Sequence, residues 1–241
     1  MFHPLISRLE RHGPLSDEEK DVLCEVTSRV RDYGPRQDIV REGDTPTEST
    51  LILEGFACRH NNLADGRRQI TAIHISGDFA DLHAFLLGKM DDGVSSITPC
   101  KVAHVPHSAL REFTKNYPHL TRVLWFTTLV DGAVHREWMT GLGRLDARER
   151  VAHVLCELFL RLQAVGLTRD HSFELPITQT ELADGFGLSN VHVNRTLQDL
   201  RGEGLITSEG KTVVINDWER LQQVAQFDPE YLHGDQKIER D

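Results

Sequence analysis

Residues Leu175–Ile206, LPITQTELADGFGLSNVHVNRTLQDLRGEGLI, decide the fold of this chain. Thr178 stands three residues before Glu181, which is the spacing of a capping box at the start of a helix. Gly187 has the backbone freedom that a tight turn requires, and Ser189 can cap a second helix. The stretch therefore predicts two short helices joined by a turn and followed by a β-hairpin.

The two predicted helices each have an apolar face. The inward side chains are Leu182, Ala183 and Phe186 on the first helix, and Val193, Leu197 and Leu200 on the second. The outward side chains of the second helix are Asn190, Val191, Asn194, Arg195 and Gln198. A guanidinium can bind guanine O6 and N7, and an Asn amide fits adenine or a phosphate. This is the pattern of a helix-turn-helix whose second helix enters the DNA major groove; an ordinary helical hairpin with a polar face is the alternative.

The same stretch resembles the DNA-binding domain of the CRP/FNR family of bacterial transcription regulators. The shared motifs are Pro-Ile-Thr-Gln at 176–179, Glu-Leu-Ala at 181–183, Gly-Leu-Ser at 187–189, Val-Asn-Arg at 193–195 and Gly-Leu-Ile at 204–206. The resemblance implies phosphate contacts from Gln179, Thr180 and Ser189 and a base contact from Arg195. With their neighbours, the predicted DNA-binding residues are Thr178, Gln179, Thr180, Ser189, Asn190, Val191, His192, Asn194, Arg195 and Lys211.

Val191 departs from the family pattern. The family commonly has a glutamate at this position, where it accepts a hydrogen bond from cytosine. A valine side chain accepts no hydrogen bond, although it can pack on the methyl group of thymine. We therefore expect a preferred half-site that differs from the best-known site of the family.

Composition predicts a cytoplasmic protein with two domains. The chain has 241 residues, which is long enough for two hydrophobic cores. Its formal net charge is −10. It contains no apolar run of the ~20 residues that a transmembrane helix needs, and its start does not resemble a signal peptide. The acidic balance opposes phosphate binding. The DNA-facing surface must therefore be locally positive, and we expect modest, salt-dependent affinity.

The N-terminal half reads as two helices followed by a β-meander. Strand-like segments from Asp38 to Ile75 alternate with turns about every ten residues, which is typical of a small β-barrel or sandwich. The turns at Glu42–Asp44, Glu54-Gly55, Asp65-Gly66 and Gly77–Phe79 resemble those of the cyclic-nucleotide-binding β-roll of CRP-like proteins. The expected fold class is α+β: a β-roll (jelly roll), a long dimerisation helix and a C-terminal winged helix-turn-helix.

The predicted ligand pocket lacks the family's nucleotide-binding residues. After Gly-Asp-Phe the family has a Gly-Glu pair for the ribose and then an Arg-Ser pair for the cyclic phosphate. Here Ala80–His83 reads Ala-Asp-Leu-His, and residues 89–96 contain no arginine. We therefore expect no cAMP at this position, and the effector is unknown. The predicted effector pocket comprises His74, Phe79, Asp81, Leu82 and His83.

Histidines and cysteines offer weaker alternatives. His74, Asp81, His83, His104 and His107 surround the predicted pocket, and a metal or haem site is conceivable there. Hydrogen-bonded or solvated histidines are the favoured interpretation, so no cofactor and no metal site are predicted. Cys24, Cys58, Cys100 and Cys156 show no Cys-x-x-Cys spacing, and reduced thiols are expected. A redox-sensing or metal-sensing regulator stays an alternative, although a single cysteine near the N-terminus argues against an iron–sulfur cluster.

Residues from Pro118 to about Thr140 predict a long helix with a narrow apolar stripe. The stripe comprises Leu120, Val123, Leu124, Thr127, Val130 and Val134. It could pack on the chain's own β-domain, but the family resemblance favours dimerisation. Gly141-Leu142-Gly143 is expected to interrupt the helix and to act as a hinge. The implied partners are double-stranded DNA with a pseudo-palindromic operator, a second copy of the chain and RNA polymerase; no membrane is expected.

The expected domains are a sensor at residues 1–117, the dimerisation helix and hinge at 118–145, the DNA-binding domain at 146–233 and a flexible tail at 234–241. Glu209-Gly210 predicts the turn of a β-wing, with Lys211 near its tip. The sequence has no Gly-rich phosphate loop, no Gly-x-Ser-x-Gly motif and no His-Glu-x-x-His motif. We therefore expect a regulator and not an enzyme. A related module that acts through protein contacts is the alternative.

Overall fold

The computed structural model describes residues 3–239. The predicted helical start at Phe2 and the last two residues of the predicted tail lie outside this range. Helix α1 spans Pro4–Glu10 and helix α2 spans Asp17–Val26. A capping box begins α2: the amide of Glu19 donates to Oγ of Ser16 over 3.2 Å, and the amide of Ser16 donates to Oε2 of Glu19 over 2.7 Å.

The N-terminal β-roll consists of two antiparallel sheets. Its elements are β1 (Val30–Tyr33), β2 (Asp38–Val40), β3 (Glu48–Glu54), β4 (Ala57–Asn62), β5 (Arg68–His74), α3 (Ala84–Leu87), β6 (Gly93–Ser96) and β7 (Cys100–Pro106). The sheet orders are β1-β7-β3 and β2-β6-β4-β5. Two of the strands, β1 and β6, were not predicted. All four residues of β6 are buried, so the alternation that marks a half-buried strand is missing from its sequence.

The Gly77 turn holds helix α1 against the β-roll. Gly77 has φ +92°, and a Cβ at this position would lie 2.9 Å from the carbonyl oxygen of Pro4. Its amide donates to the carbonyl of Ile52 over 2.8 Å. Only glycine fits both the left-handed backbone and this close approach, so the turn brings α1 to the edge of the sensor.

Two helices follow the β-roll, α4 (His107–Asn116) and α5 (Pro118–Arg144). Helix α5 is 27 residues long and continues through Gly141 and Gly143. The prediction that these glycines interrupt the helix is therefore wrong. Each costs about 1 kcal/mol relative to alanine in a helix, and the packing of buried Val134 and Trp138 keeps this part of α5 helical. The chain leaves the helical conformation only at Leu145, which is extended.

The predicted dimerisation stripe packs inside its own protomer. Five of its six side chains are at most 7% exposed, namely Leu120, Val123, Leu124, Val130 and Val134. The sixth, Thr127, donates from its hydroxyl to the carbonyl of Leu124 over 2.7 Å. These side chains pack on the chain's own β-roll and N-terminal helices. The exposed apolar side chains of α5 are Trp125 at 67%, Leu129 at 57%, Met139 at 68% and Leu142 at 41%.

The C-terminal domain combines helices with a four-stranded sheet. Its elements are α6 (Ala147–Ala164), β8 (Thr168–Arg169), β9 (Ser172–Glu174), α7 (Gln179–Phe186), α8 (Asn190–Gly202), β10 (Ile206–Glu209), β11 (Thr212–Ile215), α9 (Trp218–Ala225) and a 3₁₀ helix (Pro229–Leu232). The sheet order is β10-β11-β9-β8, so the predicted wing hairpin is present. The sequence did not predict the hairpin β8–β9, because its strands are too short to show alternation.

The segment after the 3₁₀ helix lies against the N-terminal helices. The Nδ1 atom of His12 is 3.1 Å from the carbonyl oxygen of Gln236, and the amide of Ile238 donates to the carbonyl of His12. Ile238 also packs on the apolar cluster around Leu5 and Leu9. The charged sequence predicted a loose tail, whereas one apolar side chain and backbone hydrogen bonds attach residues 234–239 to the fold.

Over residues 3–239, no helix combines the length and the apolar character that crossing a membrane requires.

Candidate nucleic-acid interface and sensor cavity

Local side-chain caps build the two helices α7 and α8. The Thr178 hydroxyl accepts from the amide of Glu181 over 3.2 Å, and the Glu181 carboxylate accepts from the amide of Thr178 over 2.7 Å. Gly187 ends α7 in the left-handed conformation with φ 61°. The Ser189 hydroxyl then accepts from the amide of His192 over 3.2 Å and begins α8. Every cap predicted from the sequence is therefore confirmed, and together they set the angle at which α8 leaves the turn.

Apolar packing fixes α8 against α7 and the domain core. The predicted inward residues Leu182, Ala183, Phe186, Val193 and Leu200 are all at most 7% exposed. Leu197 is only partly buried, and Thr196, which was not predicted, is 6% exposed. Burial of this face leaves the opposite face of α8 directed away from the core.

The predicted DNA-binding side chains lie on one exposed surface. Most of them are exposed, namely Thr178, Thr180, Ser189, Asn190, Val191, His192, Arg195 and Lys211, whereas Gln179 and Asn194 are half-buried. Val191 is 76% exposed. Within residues 3–239, the guanidinium of Arg195 forms neither a hydrogen bond nor an ion pair, so it is available to a ligand.

Two amides of α8 face α7 in the absence of a ligand. Nδ2 of Asn190 donates to the hydroxyl of Thr180 over 3.2 Å, and Nδ2 of Asn194 donates to Oε1 of Gln179 over 3.2 Å. Recognition of adenine needs both the donor and the acceptor of an amide. These two residues must therefore exchange their present partners before they can bind a base edge in that way.

The acidic residues around α7 and α8 are largely neutralised. The Glu181 carboxylate is only 4% exposed and serves as a helix cap. Asp184 pairs with Arg68 over 2.9 Å, and Glu203 pairs with Arg148. Three of the carboxylates near the reading helix are thus held in internal contacts, while Asp199 of α8 stays exposed. The potential at Arg195 is therefore less opposed than the composition suggested.

A cavity of about 780 Å³ lies between the β-roll, α1, α5, α6 and the 3₁₀ helix. Four of the five predicted effector-pocket residues line it, namely His74, Phe79, Leu82 and His83. Asp81 does not line the cavity, because its carboxylate accepts from the amide and the hydroxyl of Thr50. Burial raises the pKa of Asp81 to about 6, against the opposing effect of these hydrogen bonds.

Arg59 was missed by the sequence analysis and extends into this cavity. It is 5% exposed, and its Nη2 atom donates to Oδ2 of Asp131 over 2.9 Å and lies 2.6 Å from Nε2 of His135. Burial is the largest single influence and would raise the pKa of Asp131, but the positive charges around it, led by Arg59, together outweigh burial and lower the pKa. The only sequence signal was a charged residue within a strand-like segment. Arg59 ties the β-roll to helix α5 across the space where an effector was predicted.

The five side chains considered from the sequence as conceivable metal ligands do not lie together in the structure. His104 contacts Glu48 over 3.1 Å, and the Nε2 atom of His107 is 3.1 Å from the hydroxyl of Ser49. A different group, His83 with Asp91 and Asp92, is close enough for a cation within the described residues. The guanidinium of Arg59, however, lies 3.5 Å from Asp92 and already supplies positive charge there.

His74 places an unsatisfied polar atom at the cavity. The side chain is 1% exposed, and within residues 3–239 its Nε2 atom has no hydrogen-bond partner. Burial, followed by the charge of Arg59, holds the pKa of His74 well below its usual value. The imidazole is therefore neutral and offers an unused polar atom at the cavity wall.

Replacing Asp92 with asparagine is expected to stabilise the protein at neutral pH. Burial raises the pKa of Asp92 from 3.8 to about 6, although Arg59 opposes the rise. Between these values the folded chain binds more protons than the unfolded chain, so this contribution to stability is full below about pH 4 and is lost as pH rises through about 6. We expect Asp92→Asn to raise the free energy of unfolding by about 2 kcal/mol at pH 7.5.

Urea unfolding at several pH values measures this effect. Asp91→Asn is the matched control, because the side chain of Asp91 is 80% exposed. Equal stability of the wild type and Asp92→Asn at both ends of the pH range would contradict the prediction.

The four cysteines are unpaired, as the sequence predicted. Cys58, Cys100 and Cys156 are buried and Cys24 is exposed. Burial raises the pKa of all three buried thiols. The buried thiols therefore stay protonated and chemically inert.

Comparison with known proteins gives the same two-part architecture. A family model described as "Cyclic nucleotide-binding domain" matches residues 30–117, and one described as "Crp-like helix-turn-helix domain" matches residues 149–224. The solved structure of FixK2 from Bradyrhizobium japonicum is 26% identical with a TM-score of 0.74, over 81% of this chain and 96% of that one. The predicted α+β fold is confirmed.

Curated relatives match over nearly the whole chain. "Transcriptional activator protein FnrL" of Cereibacter sphaeroides is 30% identical over 213 residues, which are 87% of this chain and 85% of that protein. "Transcriptional activatory protein AadR" of Rhodopseudomonas palustris is 31% identical over 90% of this chain and 85% of its own length. "Nitrogen fixation regulation protein FixK" of Bradyrhizobium diazoefficiens is 29% identical over 80% of each chain. All three are named as regulators, which agrees with the expectation that the chain is not an enzyme.

Proposed function

The chain belongs to the CRP/FNR family of DNA-binding transcription regulators, and on that premise we propose that it binds a pseudo-palindromic operator as a homodimer, with α8 as the reading helix. The observation that carries the proposal is the exposed, unpaired guanidinium of Arg195. It stands on the outer face of a helix that the caps of Thr178 and Ser189 hold in place. An arginine in this position can donate two hydrogen bonds to guanine.

The proposed contacts divide by chemistry. Thr178, Gln179, Thr180 and Ser189 supply hydroxyl and amide groups at the starts of α7 and α8, where helix dipoles favour phosphate. Lys211 is exposed beside the turn of the wing and would bind the adjacent backbone phosphate. Asn190, Val191, His192, Asn194 and Arg195 face the bases. Phosphate contacts give affinity and base contacts give sequence preference.

The proposed dimer uses the exposed face of α5 and not the stripe expected from the sequence. Trp125, Leu129, Gly132, Arg136, Met139 and Gly143 follow one another at alternating spacings of four and three residues, which is the repeat of a two-stranded coiled coil. Three of these side chains are large, apolar and more than half exposed. A second copy packed on this seam would cover them and place two reading helices on one face of the DNA.

We propose that the β-roll does not bind cAMP in the usual family manner. Arg59 fills part of the cavity, and both Asp131 and Asp92 lie beside it. Either carboxylate would repel a cyclic phosphate that displaced the guanidinium. The effector, where one acts, must therefore tolerate this polar cluster. A cytoplasmic location and a contact with RNA polymerase complete the proposal, since transcription takes place there.

Selection from a random pool of DNA duplexes, with purified full-length protein at two salt concentrations, tests the function. We expect a pseudo-palindromic motif that is recovered more strongly at low salt. The variant Val191→Glu should recover a motif in which the preference changes at one base pair of each half-site, towards cytosine on the contacted strand. Recovery of no motif at either salt concentration would contradict DNA recognition and favour a module that acts through protein contacts.

A further inference from the structure

Arg161 joins the reader domain to the sensor through a buried contact. It lies on α6 and is 9% exposed. Its Nη2 atom donates to Oδ2 of Asp78 over 2.8 Å and to the carbonyl of Ile73 over 2.8 Å. Both acceptors belong to the β-roll, and Asp78 lies in the Gly77 turn. Burial would lower the pKa of Arg161, but the carboxylates of Asp78 and Glu157 outweigh it and raise it.

The contact is the centre of a larger buried network. Arg161 also donates to Oε1 of Glu157 over 2.8 Å, and Glu157 is 0% exposed. Oε2 of Glu157 accepts from the indole of Trp138 over 2.9 Å and from the hydroxyl of Tyr231 over 3.0 Å. Asp78 accepts in addition from Arg8. The network therefore connects α1, the β-roll, α5, α6 and the 3₁₀ helix.

Two arginines and two carboxylates balance in charge within this network. Besides Arg161, Asp78 accepts from Arg8 and from the amide of Ile75. Glu157 accepts from Trp138 and Tyr231. Protein donors therefore take the place of water around both carboxylates. Such a network is stable in one geometry, because the loss of alignment would leave charges buried without partners. It therefore specifies an orientation between the two domains more strongly than apolar packing does.

The orientation that this network holds leaves the reading helix free. Further polar contacts between the domains come from α7, where Asp184 pairs with Arg68 over 2.9 Å and the carbonyl of Gly185 accepts from Gln69 over 3.0 Å. The outer face of α8, with Val191 and Arg195, stays exposed. The held conformation is thus open to DNA and not blocked by the sensor.

Asp78 and Arg161 also line the sensor cavity, together with His74 and Arg59. A ligand in this cavity would lie directly against the contact between the domains. Two half-sites of a palindrome are ~34 Å apart, so a dimer whose reader domains are held in one orientation loses less entropy on binding than one whose domains swing.

We propose that Arg161 is a positioning residue for DNA binding: its buried pairing with Asp78 holds each reader domain in the orientation that lets both reading helices bind one operator, and it connects the sensor cavity to the reader. The inference rests on the proposed dimeric recognition of a palindrome. Arg161 does not touch DNA; it acts on the spacing of two α8 helices.

The test compares a full palindromic operator with a duplex that carries one half-site, both taken from the selected motif. Arg161→Met keeps the length of the side chain and removes its charge. We expect it to weaken binding to the palindrome about tenfold, which is about 1.4 kcal/mol, and to change binding to the single half-site by less than about twofold. Arg161→Lys should recover part of the loss, because an ammonium can still pair with Asp78.

Two further variants make the result decisive. Arg29→Met is the matched control, since Arg29 pairs with Glu48 over 2.9 Å within the sensor; the ratio of its affinities for the palindrome and the half-site should stay at the wild-type value. Asp78→Asn replaces Arg161→Met if circular dichroism shows that the latter does not fold, because an amide keeps the shape of the carboxylate.

Unchanged palindrome binding by a folded Arg161→Met protein would overturn the positioning role, as would an equal loss on both duplexes. Failure of the wild type to prefer the palindrome over the half-site would instead contradict the proposed dimeric function itself, so the two failures are distinguishable.

Discussion

Replacing Arg195 with alanine is expected to abolish sequence-specific binding while non-specific binding persists. A bidentate arginine–guanine contact contributes about 1–3 kcal/mol, and a dimer loses two of them, so affinity for the selected operator should fall about 100-fold or more. The affinity for unrelated DNA should fall far less, because phosphate contacts from the helix starts and Lys211 remain. Titrations of both duplexes by fluorescence anisotropy measure the two losses.

Arg31→Ala is the control for the charge that Arg195→Ala removes. Arg31 is an exposed residue of β1, in the sensor and away from the proposed DNA-binding surface. Arg31→Ala should leave the preference for the operator unchanged. Equal losses on operator and unrelated DNA for Arg195→Ala would mean that Arg195 binds phosphate, and no loss on either would remove α8 from the interface.

Introducing an aspartate at Leu129 is expected to convert the dimer to monomers. Leu129 lies in the middle of the exposed seam of α5, and a dimer would bury two carboxylates against each other there. We expect the dissociation constant of the dimer to rise by at least about 1,000-fold, which corresponds to about 4 kcal/mol. Operator binding should fall with it, because each reader domain would then bind its half-site alone.

Sedimentation velocity over a range of concentrations measures the association. Leu63→Asp is the matched control, since Leu63 is an apolar side chain of similar exposure, 46%, in the β4–β5 turn. A folded Leu129→Asp protein that still sediments as a dimer would place the interface elsewhere. Loss of the dimer in the Leu63→Asp protein would also indicate that the interface lies elsewhere.

Local signals predicted the DNA-binding domain well. The capping box at Thr178, the turn at Gly187 and the Ser189 cap each depend on residues within four positions of one another, and the structure contains all of them. The turns of the β-roll were predictable for the same reason. Strand β6 was missed because both of its faces are buried, which removes the alternation that identifies a strand.

Helix α5 shows where periodicity is insufficient. Its apolar residues form two stripes, one through Leu120 and Val134 and one through Trp125 and Met139. Periodicity detects each stripe but does not say which partner covers it, because the β-roll and a second helix bury the same kinds of side chain. In the tertiary structure the first stripe packs on the β-roll, and the second stays exposed.

The polar groups of the cavity were the least predictable part. Arg59, Asp131 and Arg161 come from three elements that are far apart in sequence, and no spacing rule joins them. His104 and His107 were expected near the pocket from the sequence, but they contact Glu48 and Ser49 instead. A buried charged pair depends on the final packing of whole elements, so it becomes visible only when the fold is complete.

The attachment of residues 234–239 to α1 makes the fold almost circular. His12 and Ile238 hydrogen bond through their backbones, so the first and last parts of the described chain are neighbours in space. The sensor and the reader are therefore in contact here as well as through α5, the Arg161–Asp78 pair and the contacts of α7. Joining chain segments that lie this close is the usual basis of circular permutation. The order in which the domains follow one another along the gene is consequently a weaker constraint on this architecture than the contacts between them, and new ends could be opened in an exposed turn such as Asp65-Gly66 without separating sensor from reader.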